Sequence, residues 1–464
     1  MGAPDARRDI VETANWMRPE TIEYLRGVKR QLSGKQPREV FDRVLDLAQT
    51  DQQWRERECV NLMPSENVMS ETVRRAYGSN QMFRVCDGPL GAKDALSGGG
   101  DRYLEEIEGI LLESASRLFG AKFVEHRPLS GVLGCLAVNL AFTKPGDRIM
   151  SVSLQDGGNP CSTQEGFPGK YGLDVSFIPI QPDTFDIDLE AFEARAREVR
   201  PKLIVIGTMM QLFPYPLEEL RRVAHEAGAV LFYDAAHFGA FFAAGVMSDP
   251  LRAGVDVLLV NTHKMFGGPF GSFLFTNDEN IAGQLNDATY LRISQTPHGS
   301  RIVALALSVA EMLEHARPYS EQIVSNAKAL ASALDREGIP VMARERGFTE
   351  SHMLVFDARP YGGGQAVEEK LTQANIIANK MPLPLDAQLA TAGEDRPAHG
   401  SHLVSGYRLG TPWVTRVGMK EGEMEQVARF IRWVLIDGQA PSDVAKEVAH
   451  FMQNYQKVHY SFDD

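Results

Sequence analysis

Lys264 stands in the run NTHKMFGGPFG, directly after the apolar stretch VDVLLV at 255–260. A lysine that acts as an amine nucleophile must be partly desolvated and set at a strand end beside a cavity. Gly267, Gly268 and Gly271 allow the backbone to approach a bound group closely. Asp234 closes a second apolar stretch, AVLFYD, 30 residues earlier. A carboxylate there can keep a ring nitrogen protonated and so make an aromatic cofactor an electron sink. It reads equally well as a helix N-cap. His237 can reach a cofactor oxygen or a substrate, or can simply be packed. Ser130 and Gly131 open a helical stretch, where free N–H groups and a hydroxyl suit a phosphate. Arg408, in SGYRLGTPWVTR, can clasp a carboxylate through two parallel hydrogen bonds. A structural ion pair is the commoner use of such an arginine. Each item is weak alone, and their order along the chain carries the argument.

Those residues need elements to hold them. Leu104 to Phe119 reads as a helix stopped by Gly120, and Ser130 to Phe142 as another. Strands are expected at Arg148–Ser153, Val175–Ile180, Lys202–Gly207, Ala229–Asp234, Val255–Val260 and Gly271–Thr276. Helices at Leu189–Val199 and Pro216–Ala227 fall between them. Alternating strands and helices predict an α/β fold with a mostly parallel sheet, whose chemistry sits at the carboxyl ends of the strands. Asp234 and Lys264 both fall at such ends. A helix from Pro318 to Leu334 should leave this domain. It leads to a smaller α/β part with a strand at Met353–Phe356, a turn at Gly362–Gly364 and a helix at Glu423–Leu435. The expected division is an N-terminal helical arm at 1–75, including a helix at Arg38–Trp54, a large domain at 76–320 and a C-terminal domain at 321–464.

The 464 residues suffice for two domains with substantial cores. A net charge of -13 argues against non-specific binding to nucleic acid, which needs a basic face. Cys59, Cys86, Cys135 and Cys161 form no metal-like spacing and no disulfide framework, so no metal is expected. The polar start, Met1 to Arg8, has no apolar signal core. No run of about eighteen apolar residues could span a membrane. A cytoplasmic protein is the expectation.

The order of phosphate turn, strand-end Asp with His, strand-end Lys and distal Arg is similar to that of fold-type I pyridoxal 5'-phosphate (PLP) enzymes. The wording resembles the serine hydroxymethyltransferases more closely. Pro64-Ser65-Glu66-Asn67 looks like their SEN segment, and YDAAHFGAFFAAGV like their DMAHxxGLxAAG stretch. NTHKMFGGPFG looks like THK followed by GPRGG, and YRLGTPWVTRVGMKEGEM like RxGTPxxTRxG. The resemblance spans roughly residues 38 to 435. It implies Lys264 as the Schiff-base lysine, Asp234 as the pyridinium partner and Arg408 as the carboxylate binder. Asn261 and His263 join Ser130, Gly131 and His237 around the cofactor, and Ser65 lies at the substrate. It also implies a homodimer.

Departures from the family point to a specialised branch. Asn159, in Asp156-Gly157-Gly158-Asn159, replaces the histidine that lies over the PLP ring. Val85-Cys86-Asp87-Gly88 replaces a segment with a tyrosine and a glutamate, leaving Asp87 as a shorter acid. Phe270 replaces the arginine of GPRGG. The loop at 88–103 is rich in glycine and is expected to shape the substrate pocket. ERGFTESH (Glu345 to His352) and the tail YSFDD (Tyr460 to Asp464) look like the L-threonine transaldolases, relatives that act in antibiotic biosynthesis. The leading expectation is therefore a folate-independent aldol or retro-aldol enzyme on a β-hydroxy-α-amino acid, passing through a quinonoid carbanion, with an aldehyde acceptor. Lys264, His237 and Asp87 would be its catalytic groups, with His237 and Asp87 handling the hydroxyl proton. The alternatives are a PLP-dependent oxygenase that decarboxylates an amino acid to a carboxamide with dioxygen, and ordinary serine hydroxymethyl transfer.

Overall fold

The computed structural model describes residues 16–84, 86–93, 100–181, 184–383, 386 and 404–463. The chain forms two compact units, Met1–Arg57 and Glu58–Asp464. In the first, helices Pro19–Leu32 and Pro37–Gln53 each begin with proline at the first turn, where its missing N–H costs nothing. Neither helix buries a residue, and Tyr24, Phe41 and Val44 stand exposed.

In the second unit the strands are β1 (Val60–Asn61), β2 (Phe123–Glu125), β3 (Arg148–Ser151), β4 (Asp174–Phe177), β5 (Leu203–Ile206) and β6 (Val230–Asp234). They continue with β7 (Val257–Asn261), β8 (Ser272–Thr276), β9 (Met353–Asp357), β10 (Ile376–Ile377), β11 (Asn379–Met381) and β12 (Gly406–Gly410). The main sheet has the order β2-β8-β7-β6-β5-β3-β4. Strands β3 to β7 run parallel, whereas β8 and β2 are antiparallel additions at one edge. The runs LIVI in β5 and VLLVN in β7 are buried throughout, as expected for strands covered on both faces. Helix Leu217–Glu226 shows how the faces are covered. It buries Leu217, Leu220, Val223 and Ala224 along one stripe, at helical spacing. This is the expected α/β architecture with a mostly parallel sheet.

The C-terminal part has its own antiparallel sheet, β11-β12-β9, and its own core around Leu354, Phe356, Tyr407 and Leu409. Val60 and Leu62 belong to that core, because β1 pairs in parallel with β10. Strand β12 was not expected from the sequence, nor were the short β2 and helix Pro441–Met452.

The helix expected to begin at Pro318 runs instead from Gly299 to Arg336, with Pro318 inside it. Proline normally stops a helix because it lacks the N–H and crowds the preceding turn. Here Leu305, Val309 and Met312 before it and Tyr319 and Ile323 after it are all buried. Their burial, at about 1.5–3 kcal/mol each, outweighs one missing bond. The helix lies in both cores, through Ile302–Ile323 in one and Leu330–Leu334 in the other.

The same helix carries Glu311, whose carboxylate lies 2.9 Å from Arg416, and both side chains are buried. Arg416 also donates to the carbonyl of Tyr460 at 2.7 Å, tying down the C-terminal tail. Replacing one partner leaves the other charge buried alone. Glu311→Leu should therefore lower stability by about 3–5 kcal/mol. The joint change Glu311→Leu with Arg416→Met should recover most of that loss, as read from urea denaturation of the two variants.

Candidate functional site

Strands β6 and β7 are neighbours, with Asp234 opposite Leu259 in register. The turn that follows β6 is bonded to β7, Ala235 N to Leu259 O at 3.0 Å and Asn261 N to Ala236 O at 3.3 Å. Asp234 ends β6 and Lys264 lies three residues beyond β7, so both stand at the carboxyl end of the parallel strands. Beyond Lys264 the chain folds back, with Gly268 N bonded to Thr262 O at 2.7 Å and Thr262 N to Gly271 O at 3.0 Å. Arg301 clamps this loop by donating to the carbonyls of Phe270 and His126, each at 2.7 Å. At Gly271, with φ 145, any Cβ would stand 2.0 Å from the Arg301 guanidinium.

Lys264 is withdrawn from solvent. Burial lowers its pKa to about 8, with Asp234 opposing and Arg408 reinforcing the shift. Asp234 is raised by burial and held down in part by Lys264. Its carboxylate accepts from Ala236 N at 3.2 Å and from the Cys135 thiol at 3.5 Å. Cys161 joins them: the two sulfurs and the carboxylate lie within 4.8 Å of one another. Bonding to Cys161 and burial push the Cys135 thiol well up, so it stays protonated and donates. This packing of two thiols beneath the acid was not foreseen from the sequence.

Ser130 caps helix Gly131–Phe142, its hydroxyl accepting from Leu133 N at 3.2 Å. The first N–H groups of the helix remain available to an anion. A Cβ at Gly131 would meet the Asn261 amide oxygen at 2.5 Å. That oxygen and the Nδ1 of His263 are buried without a hydrogen-bond partner among the described residues. The ring of His263 stacks on Phe270, with centroids 3.8 Å apart and planes 10° apart. Burial, reinforced by Lys264, pushes the His263 pKa down to about 4. Orphaned polar atoms beside a capped helix start, a desolvated amine and a half-buried acid fit a phosphorylated pyridine aldehyde. Lys264 would take the aldehyde carbon, Asp234 the ring nitrogen, and Ser130, Gly131, Asn261 and His263 the phosphate end.

Arg408, in β12, is buried and its pKa falls to about 10 for that reason. Its guanidinium donates to the Met209 carbonyl and, at 3.1 and 3.3 Å, to the Asn379 amide oxygen. Among the described residues no carboxylate pairs with it. It is thus a positioned cation ready for an anion. Asn379, which sets it from the neighbouring β11, was not foreseen. Ser65 follows Pro64, which packs against Gly410 at the end of the same strand. His237 is buried, and its Nδ1 lies 3.2 Å from Nε2 of His352. Burial first, then Lys264 and Arg408, hold both histidines well below the ordinary range. His352 had been noticed only within the ERGFTESH resemblance.

Two expected residues are less tightly joined to this cluster. The Asn159 side chain turns onto its own backbone, accepting from Cys161 N at 3.1 Å. Asp87 lies in a segment whose carbonyls, Cys86 and Gly88, bind the Lys93 ammonium at 3.2 and 3.1 Å. Lys93 in turn pairs with Glu108 at 2.9 Å. Val85, and residues 94–99 of the loop expected to shape the pocket, lie outside the described residues.

The family model described as serine hydroxymethyltransferase matches residues 38–431. The serine hydroxymethyltransferase of Thermococcus kodakarensis is 39% identical over 92% of this chain and 97% of its own length. That of Aeropyrum pernix is 35% identical over 94% and 96%. Among solved structures, the L-threonine transaldolase from Pseudomonas fluorescens superposes with a TM-score of 0.81 at 27% identity, covering 94% of this chain and 96% of that one. The cofactor of the site is pyridoxal 5'-phosphate.

Two measurements follow from this geometry. The Lys264 ammonium has no lone pair, so covalent uptake of PLP by cofactor-stripped protein should rise with pH about a midpoint near 8, where half of the amine is free. A midpoint near the ordinary lysine value of about 10.4 would contradict the desolvated placement. Gly131→Ala should weaken PLP binding about tenfold or more, because the added methyl displaces Asn261; a cofactor titration by absorbance reads this.

Proposed function

The chain belongs to the serine hydroxymethyltransferase family, and on that premise we propose that it is a folate-independent aldol enzyme acting on a β-hydroxy-α-amino acid, in the manner of an L-threonine transaldolase. When bound, PLP supplies an electron sink for negative charge at the substrate α-carbon. The protein has to present the substrate, fix its orientation and move the hydroxyl proton. The observation that carries the reading is Arg408, a buried guanidinium with its own carbonyl partners and no carboxylate among the described residues. It suits the α-carboxylate of an amino acid, with two donors in one plane. Holding that carboxylate fixes which bond at the α-carbon stands across the cofactor plane. Proton transfer at the β-hydroxyl falls to His237 or Asp87.

Departures from the family support independence from folate. Asp87 and Cys86 occupy the stretch expected to hold a glutamate and a tyrosine, and Phe270 covers His263 where an arginine was expected. One observation favours a second reading. The Asn159 side chain is spent on its own backbone. A face left without a covering ring suits dioxygen, and with it oxidative decarboxylation of an amino acid. We also propose a homodimer, since Tyr24, Phe41 and Val44 on the N-terminal helices are apolar and exposed.

The PLP-loaded enzyme given L-threonine without folate should release acetaldehyde, and Lys264→Ala should abolish the release. A loaded enzyme that releases none sinks the aldol reading. Oxygen uptake that depends on an amino acid would then move the assignment to decarboxylation. Folate-stimulated exchange of the glycine α-proton would mark hydroxymethyl transfer instead.

A further inference from the structure

His237 follows β6 and His352 precedes β9, so two distant parts of the chain bring their rings together. The centroids are 5.4 Å apart and the planes 23° apart. Nδ1 of His237 and Nε2 of His352 are at hydrogen-bond distance, 3.2 Å. Such a contact uses one proton: one nitrogen donates and the other accepts. Lys264 and Arg408 press on both rings with positive charge, and both rings are buried, so each is neutral and carries a single proton.

Two arrangements remain. In the first, His237 donates from Nδ1, which leaves its Nε2 bare. His352 then accepts at Nε2 and must carry its own proton on Nδ1. That Nδ1 is buried and has no hydrogen-bond partner among the described residues. Its surroundings include the rings of Phe238 and Phe241, at 5.3 and 6.0 Å between centroids, which offer no oxygen or nitrogen. A buried N–H without an acceptor costs about 1–3 kcal/mol. In the second arrangement His352 donates from Nε2 and leaves only a lone pair on Nδ1. Orphaned acceptors are tolerated better than orphaned N–H groups. The second arrangement therefore prevails.

We propose that His352 is a positioning residue that donates from Nε2 to His237 and fixes His237 as the tautomer protonated on Nε2. His237 then presents an N–H to the site. It can hold a carboxylate or a cofactor oxygen, and it cannot take a proton from the substrate hydroxyl at that nitrogen. This rests on the reading that His237 faces cofactor and substrate. The tautomer itself does not depend on which reaction the enzyme performs.

The test uses PLP-loaded enzyme labelled with ¹⁵N-histidine and long-range ¹H–¹⁵N correlation spectra. Loss of one ring's signals in His352→Gln and of the other's in His237→Gln assigns them. The expected result is a protonated Nε2 and a bare Nδ1 on both rings. A proton on Nδ1 of His237, or two protons on either ring, overturns the proposal. These spectra are read whether or not threonine is a substrate, so failure of the aldol reading stays separate. The second measurement is kcat. His352→Leu should lower it by roughly tenfold, and His352→Gln, whose amide N–H can replace the donor, should restore it to within about threefold. A glutamine variant as slow as the leucine variant overturns the positioning role. Should the leucine variant fail to fold, the wild-type spectra decide the question alone.

Discussion

Arg408 is buried and Lys264 is largely withdrawn from water, and Asp234 is the carboxylate whose charge reaches Lys264. Burying one cation is costly, and burying two near a single acid is costlier still. The protein meets the cost in different ways for each. Lys264 can lose its proton near neutral pH, which also makes it a nucleophile. Arg408 cannot, and two carbonyl oxygens, of Met209 and Asn379, solvate it without neutralising it. The excess of positive charge is thus built in. An anionic phosphate and an anionic carboxylate would complete the site electrostatically.

The scaffold follows from keeping these charges in place. Parallel strands β6 and β7 end side by side, so an acid and a lysine 30 residues apart in sequence meet at one edge. The turn after Asp234 is bonded to β7, and Thr262, two residues before Lys264, is bonded to Gly271. Arg408 comes from the other sheet and reaches Met209, which follows β5 of the main sheet. That single contact spans the two cores, and the long helix Gly299–Arg336 runs through both. The helix is thus one of several links between the lysine's sheet and the arginine's, beside the contact of His237 with His352.

Much of this was legible in the chain. VDVLLV and AVLFYD gave their strands away by continuous apolar character, and with them the placement of Lys264 and Asp234. Ser130-Gly131 marked a helix start, where the structure has one. What could not be read was partnership across distance. Nothing near Arg408 in sequence points to Asn379 or Met209, and nothing near His237 points to His352. Arg301 lies on a helix, and its bonds to Phe270 and His126 exist only once the sheet has formed. Strand β12 was missed because GYRLG is short and contains two glycines; pairing with β9 and β11 makes it a strand, and its own preference does not. Pro318 misled for the related reason that a local rule yielded to burial on both sides.

Neutral histidines give the site its remaining character. His237, His352 and His263 are all held below the ordinary range, chiefly by burial, and Lys264 adds to the effect in each case. Charging any of them would add to a positive excess that already has too few counter-ions. Their use is consequently confined to directed hydrogen bonds, in which the position of one proton decides whether a ring nitrogen donates or accepts. His263, pressed flat against Phe270, has one ring face closed, so its directed contacts run from the ring edge. His237 has its Nδ1 edge taken by His352. On the proposed function, discrimination among amino acids would depend on which acceptors a substrate offers to Arg408 and to the second edge of His237.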